Sequence, residues 1–229
     1  MLVTVHLFGV AGSRVPAALL RMASDRRHLA RTPGLVFWKL LGTGDGRTFT
    51  LRDADLRRWG LLAVWQDPAA LVAFERRSPT AAAWRRVADE RWRADLLCVR
   101  SRGTWAGLAP FAAEPSAAGA ADAPVAAITR ARLRPGRMRS FWQAVPAVAL
   151  DAEAAPGLAF SAGIGEAPFG LQGTFSLWRS QAALADFAYR GAAHRGVINR
   201  TEPARWYAEE LFARFAVLQT TGTNHLYHP

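Results

Sequence analysis

The chain of 229 residues carries a formal net charge of +11, and its composition, 51% hydrophobic and 21% charged, excludes an intrinsically disordered chain. No apolar run approaches the roughly 20 residues of a membrane-spanning helix, and the first residues lack the basic start of a secretory signal, so we expect a cytoplasmic protein. Because Cys98 is the single cysteine, the chain offers neither a disulfide framework nor a cysteine metal site.

The positive charge comes almost entirely from arginine, since Lys39 is the only lysine. The arginines are scattered along the chain without a basic block or a nucleic-acid-binding motif, so we expect no nucleic acid partner. A basic surface of this kind suits an acidic electron-transfer partner or peripheral contact with an anionic membrane.

The first half of the chain alternates strand and helix signals. Strands are predicted over residues 2–8, 34–41, 61–65 and 96–101, where apolar and β-branched residues dominate. A helix after the first strand is predicted from Ser13 as its cap and Pro16 in its first turn. The glycine-rich residues 42–46 predict a hairpin turn between the second and third strands, rather than a phosphate-binding loop. Two helical stretches, the first with an Ala-Leu-x-x-Phe pattern, precede the last strand.

The second half repeats the first. Residues 65–74 and 178–187 share five identities in ten positions without a gap, at a constant offset of 113. Strands are predicted over residues 125–133, 157–164, 173–178 and 215–220. Helices are predicted around residues 141–145 and from Gln181 onward.

The predicted order of strand, helix, strand, strand, helix, strand is that of a ferredoxin-like unit. Two such repeats in tandem predict an α+β protein in which both repeats share one α/β barrel. The predicted division is an N-terminal repeat over 1–106, an Ala, Pro and Gly-rich linker over 107–123, a C-terminal repeat over 124–222 and a tail over 223–229.

His194 is the strongest candidate for a metal ligand. With Leu184, Phe187 and Gly191 it follows helical spacing, so these four residues share the face that packs on the sheet, and Ile198 extends it. A helical imidazole directed at an apolar cavity is how many haem proteins hold iron. The alternative is a buried histidine bonded to a carbonyl group. Ala81 occupies the matching position of the first repeat, so only the second repeat is expected to hold a cofactor.

Residues near His194 complete the predicted site. Arg190 and Arg195 can pair with haem propionates, or can simply form a solvated helix face. The facing sheet would contribute Thr129, Arg130, Ser161, Gly163, Phe175 and Ser176, of which strand alternation lets only some point toward the site. Nucleophile-elbow, phosphate-loop and zinc-protease motifs are missing from the sequence, so hydrolase and nucleotide-binding functions are not expected.

Several segments together resemble the spheroidene monooxygenase family over nearly the whole chain. They are Pro33 to Gly44, Thr129 to Ala131, Phe141 to Pro146, Gly163 to Glu166, Thr174 to Trp178 and Arg205 to Phe212. The resemblance implies a relative of haem-binding dimeric α/β-barrel proteins, with haem b as cofactor and the iron-binding histidine in the second repeat, a position that His194 matches.

The resemblance also implies an activity and partners. The reaction would oxidise a methylene of a linear carotenoid to a ketone with dioxygen and electrons from a ferredoxin-type donor, and a homodimer is expected. In this scheme Arg130, Thr129 and Ser176 are the candidate catalytic residues, and Phe141, Phe175 and Trp178 are candidate walls of the cofactor and substrate cavity. Two alternatives stay open: a haem-dependent dehydratase, lyase or N-oxygen enzyme acting on a natural-product intermediate, and a non-catalytic protein that carries haem or an apolar ligand.

Overall fold

The structure is a computed structural model that describes residues 1–46, 53–137, 151, 154–166, 171–190 and 206–223. Its strands are β1 (Leu2–Gly9), β2 (Leu35–Gly44), β3 (Ala54–Trp65), β4 (Glu90–Gly103), β5 (Val125–Leu133), β6 (Leu158–Gly165), β7 (Leu171–Trp178) and β8 (Tyr207–Gly222). Its α-helices within these ranges are α1 (Val15–Leu29), α2 (Pro68–Arg77), α3 (Pro79–Val87) and α4 (Gln181–Arg190). None of these helices is long and apolar enough to cross a membrane.

The strands form one closed barrel in the order β1-β3-β2-β6-β7-β5-β8-β4. Every neighbouring pair is antiparallel. Two pairings join the repeats: β4 with β8, and β2 with β6. The prediction of two ferredoxin-like repeats closed into one α+β barrel is therefore confirmed.

The sequence patterns predict which segments form strands more accurately than they predict the residues at which the strands begin and end. The bounds of β5 agree with the prediction, whereas β3, β4 and β8 begin earlier than predicted, because barrel closure pairs their polar ends with neighbouring strands. Ser13 is not the cap of α1: it lies in a short 3-10 turn, and Arg14 precedes the helix without a side-chain cap bond. The predicted helix around 141–145 lies outside the described residues.

Strand alternation produces two apolar layers. One set of side chains fills the barrel and includes Val5, Leu62, Ile128, Phe175 and Phe215. The opposite face of the first repeat packs against α1, α2 and α3 in a second cluster. Since both faces of the first-repeat strands are buried, these strands read as continuous apolar runs in the sequence.

Identical residues of the two repeats make the same contacts. The Trp65 ring lies 5.0 Å from Phe74, and the Trp178 ring lies 5.1 Å from Phe187. At the start of the following helix, the Asp67 carboxylate accepts a hydrogen bond from the Ala70 amide, and Ser180 accepts the equivalent bond from the Ala183 amide. The repeat seen in the sequence is thus a repeated packing unit in which an indole ring anchors a capped helix to the barrel.

The glycine of each Pro-Gly-Leu segment has a steric role in this unit. Gly34 and Gly157 both have positive φ, 73° and 86°. A Cβ atom on either would come within 2.5 or 2.6 Å of the Cβ of Ala70 or Ala183. Glycine is required at both positions because it adopts positive φ without strain and leaves room for the helix.

Candidate active site

The outer face of the second repeat is the surface that turns away from the barrel interior. On β5 to β8 the residues that alternate with the interior ones form this face, and paired residues of adjacent antiparallel strands lie on the same side. We use "the outer face" for the set Ser161, Gly163, Thr174, Ser176, Ala127, Thr129, Phe212 and Arg214. Thr129 and Ser161 are exposed, and Thr174, Ser176 and Arg214 are half-buried.

Residues that pair across adjacent strands form rows on this face, and the matching rows of the first repeat carry much larger side chains. Across β6, β7 and β5 one row reads Gly163, Thr174, Thr129. The matching row across β2, β3 and β1 reads Leu40, Leu61, His6, all of which are buried. In the neighbouring row Ser161 replaces Trp38, and on β5 Ala131 replaces Phe8. The first repeat therefore fills the layer outside its sheet with its own side chains, whereas the second repeat presents small and hydroxyl-bearing ones.

Helix α4 supplies an aromatic wall beside this face. Leu184 is buried against Trp178 and Val125, and Phe187 stacks on the Trp178 ring at an interplanar angle of 27°. The Trp178 indole donates a hydrogen bond of 3.0 Å to Ser176 Oγ. An indole N–H can only donate, so the Ser176 hydroxyl keeps its own proton for another acceptor.

The described part of the predicted site divides between two faces of the sheet. Thr129, Ser176, Trp178 and Phe187 lie on the outer side, where α4 packs. Arg130 and Phe175 point into the barrel and are almost fully buried there. Arg130 and Phe175 therefore cannot line the same cavity as the outer residues. The prediction that placed all six residues in one site is corrected by this geometry.

The structure does not describe the side chains of the remaining predicted site residues. His194, Gly191, Arg195, Ile198 and Phe141 lie outside the described residues. Arg190 is the last residue of α4, and its side chain also lies outside the description.

Arg130 belongs to an ion network inside one end of the barrel. It pairs with Glu209 and, at 3.2 Å, with Glu166. Lys39 approaches the other oxygen of Glu166 at 2.7 Å, and the Trp105 indole donates to Glu166 at 2.5 Å. The Arg130 guanidinium also lies 5.5 Å from the Trp105 ring centre, a cation–π contact. The network joins both repeats, since Lys39 and Trp105 belong to the first and the other members to the second.

Glu209 is the acid whose pKa this network changes most clearly. Burial raises its pKa, but the Gly107 amide at 2.7 Å, the Arg130 guanidinium and the Thr104 hydroxyl at 3.1 Å outweigh burial and lower the pKa to about 2. The folded protein therefore holds the Glu209 proton more weakly than the unfolded chain does.

This difference predicts an acid-dependent loss of stability. A carboxyl group with a lowered folded pKa contributes stability that is complete above its ordinary pKa near 4.5 and is lost as the pH falls toward 2. We expect the free energy of unfolding, measured by urea titration at a series of pH values, to fall less steeply between pH 4.5 and 2 in Glu209→Gln than in the wild type. Equal slopes in the two proteins would contradict this assignment.

Two outer-face residues were missed by sequence reasoning. Phe212 and Arg214 on β8 pair with Thr129 and Ala127 and thus share their face. The guanidinium of Arg214 is half-buried and makes no ion pair with any residue that the structure describes. The register of β8 against β5 was the missing information: β8 had been predicted to begin only at residue 215.

Fold and site together define the class of protein: a fused α/β barrel whose two repeats have diverged, so that, among the described residues, strands β5 to β7 of the second repeat carry smaller side chains on their outer face than the matching strands of the first. Solved structures share this fold. An aldoxime dehydratase in complex with butyraldoxime has a TM-score of 0.61 over 94% of this chain and 79% of its own, with 11% sequence identity. A second aldoxime dehydratase structure gives 0.60 over 94% and 80%, with 12% identity. At such identity the likeness concerns the fold alone.

Sequence relatives then name the family. Spheroidene monooxygenase from Rhodobacter capsulatus is 34% identical over 221 residues, which cover 96% of this chain and 91% of that protein. Spheroidene monooxygenase from Rubrivivax gelatinosus is 36% identical over 190 residues, 83% of this chain and 72% of that one. The chain belongs to the spheroidene monooxygenase family, as its sequence motifs indicated, and is a monooxygenase. It matches no family model.

Proposed function

We propose that this protein is a haem-dependent monooxygenase that holds haem b against the outer face of the second repeat and oxidises an apolar substrate, a carotenoid, with dioxygen. The observation that supports the proposal is that side chains on this face are smaller than those at the matching positions of the first repeat. Where the first repeat places Trp38, Leu40 and Phe8 between its sheet and its helices, the second places Ser161, Gly163 and Ala131.

The described residues fit a flat, mostly apolar group. Strands β5, β6 and β7 carry small side chains on this face, and Trp178 with Phe187 forms an aromatic wall at its edge. Arg214 shares this face and brings a positive charge that is half-buried and has no described partner, which suits a propionate carboxylate. We assign Arg214 to this role beside Arg190 and Arg195.

His194 is the proposed iron ligand. It lies seven residues after Phe187 in the sequence, the spacing of two turns in the helix predicted from the sequence pattern, and Phe187 faces the sheet at Trp178. Gly191 and Ile198 share the same spacing and are proposed to border the cofactor. When bound, haem supplies an iron that activates dioxygen for attack on an unactivated C–H bond.

The protein's own groups would orient the reactants and control protons. Ser176 keeps a donatable proton because Trp178 occupies its oxygen, and the Thr129 hydroxyl is exposed on the same face. We propose these two hydroxyls as the hydrogen-bond donors on the side of the sheet. Arg130 is left out of this role because its guanidinium lies on the opposite side of the sheet.

The partners follow from the proposed reaction. A monooxygenase needs electrons, and a ferredoxin-type donor, with its acidic surface, suits a chain with a net charge of +11. An apolar substrate would be reached by peripheral contact with a membrane surface. The homodimer implied by the family resemblance stays a prediction.

The test places on the outer face a side chain as large as those that the first repeat carries at matching positions. We expect Thr129→Phe to weaken haem binding at least about tenfold, measured by the rise of the Soret band on titration of the apoprotein with haem, because the ring occupies the layer. Thr129→Ser is the matched control and should bind like the wild type. Both variants should keep the wild-type circular dichroism spectrum and melting temperature within a few degrees.

Two results would overturn the proposal at different levels. If Thr129→Phe binds haem with the wild-type affinity, haem does not bind at this face. If the wild-type protein shows no Soret band after titration, the protein does not bind haem. With haem bound and an electron donor present, conversion of an apolar polyene should require oxygen; conversion without oxygen would favour the dehydratase or lyase alternative.

A further inference from the structure

The first repeat contains a cavity of about 310 Å³ between strands β1 and β4 and helices α2 and α3, and residues 221–223 at the end of β8 also line it. His6 and Phe8 form its floor, Phe74 and Trp84 its apolar walls, and Arg85 and Arg91 lie at its exposed rim. This volume is within the range of small-molecule sites.

The cavity occupies the layer that corresponds to the candidate site of the second repeat, yet it differs in chemistry. Ala81, which lines it, stands 113 residues before His194 and therefore matches that histidine in the repeat. An alanine has no metal-ligating group, so this cavity does not duplicate the iron site proposed above.

His6 offers the cavity a buried hydrogen-bond donor. The Trp65 indole donates to Thr4 Oγ1 at 2.8 Å, and the Thr4 hydroxyl lies 3.0 Å from His6 Nε2, a pair in which the donor is set by the tautomer of the imidazole. Burial, with the nearby Arg93 charge, lowers the pKa of His6 to about 3, so the ring is neutral. In the tautomer whose Nε2 accepts the Thr4 proton, the one ring hydrogen is on Nδ1. The carboxylate oxygen of Glu75 lies 3.7 Å from Nδ1, too far for a hydrogen bond.

The rim has an unneutralised positive charge. Arg93 is held by Asp95 at 2.7 Å and by Glu75 at 3.4 Å, while Asp89 is paired with Arg14 at 3.1 Å. The side chain of Arg91 has no ion pair or hydrogen bond among the described residues. An anion at the rim would therefore meet a guanidinium that is not already engaged.

We propose that this cavity binds a small aromatic carboxylate that carries a second hydrogen-bond acceptor. The carboxylate pairs with Arg91, the ring packs against Phe74 and Trp84, and the second acceptor takes the Nδ1 hydrogen of His6. The cavity is thereby a ligand site distinct from the outer face of the second repeat, and its occupation does not depend on haem.

The test uses 4-hydroxybenzoate as the probe and isothermal titration calorimetry of the full chain. We expect saturable binding at one site with a Kd below about 1 mM, the range that a ligand of this size reaches at modest efficiency. Arg91→Gln should weaken binding about tenfold, whereas Arg26→Gln, which removes an exposed arginine from α1, should leave it unchanged. The neutral analogue 4-hydroxybenzyl alcohol should bind about tenfold more weakly than the acid to the wild type.

A cavity-filling variant provides a second measurement. Ala81→Leu should abolish binding, and its circular dichroism spectrum reports whether it folds; if it does not fold, the Arg91 comparison still decides. The proposal is overturned if no saturable binding occurs up to about 10 mM probe, or if Arg91→Gln and Arg26→Gln bind the probe equally. Equal binding of benzoate, which lacks the second acceptor, would remove the contact to His6.

Discussion

Arg130→Met is expected to lower the free energy of unfolding by about 3–5 kcal/mol, the usual cost of removing one partner from a buried ion pair. The side chain of Arg130 is 3% exposed, and its loss leaves the carboxylate of Glu209 without its main counter-charge inside the barrel and Glu166 with Lys39 alone. The measurement is urea unfolding followed by tryptophan fluorescence. Methionine keeps much of the volume, so the effect reports charge more than packing.

A matched control lies two residues along the strand. Arg132 approaches the same oxygen of Glu209 at 3.6 Å but is half exposed, so Arg132→Met should cost less than about 1 kcal/mol. Adding Glu209→Gln to Arg130→Met should recover part of the loss, because the second change removes a buried unpaired charge. Similar small losses for Arg130→Met and Arg132→Met would contradict a structural role for the network.

His194→Ala is expected to reduce haem retention more than tenfold and to shift the Soret band of whatever haem remains. Loss of a residue that merely supports a metal ligand commonly costs 10–100-fold in affinity, and loss of the ligand itself should cost at least as much. The measurement is the absorption spectrum of protein reconstituted with haem and passed through a desalting column. Added imidazole should restore the wild-type band position in the variant.

The control for this prediction is His28→Ala, which removes an exposed histidine from α1 in the first repeat. It should retain haem like the wild type. A His194→Ala protein with an unchanged spectrum would assign iron ligation to another residue. Thr129→Phe tests the location of haem independently of its ligand, so the two experiments can fail separately.

The fold followed from the sequence because its signals were local or repeated. Alternating apolar residues marked the strands, and the matched Trp65 and Trp178 segments marked the two repeats, each of which makes the same indole to phenylalanine contact. Strand ends were harder to predict. The first residues of β8 include Glu209 and Glu210, whose charges argue against a strand until the neighbouring strands and their basic residues are known.

The division of the site between two faces was not predictable from one sequence. Thr129 and Arg130 are neighbours on β5, so alternation must separate them, but it does not say which one enters the barrel. An arginine is expected at the surface unless it has buried partners. The partners of Arg130 lie 36 and 79 residues away, at Glu166 and Glu209, and only the closed barrel brings them together.

The two junctions that close the barrel are very unequal. Strands β4 and β8 pair along eleven positions, whereas β2 and β6 pair at three positions within the described part of the chain, and four of those six residues are glycines. On this short side, the Cα of Gly46 approaches so closely that a Cβ on Gly163 would lie 2.9 Å from it, and the ion pair of Lys39 with Glu166 spans the gap. The barrel is therefore closed by one long junction and, among the described residues, one short junction. Lys39, the only lysine of the chain, adds an ion pair across the short junction, at the edge where the outer face of the second repeat begins.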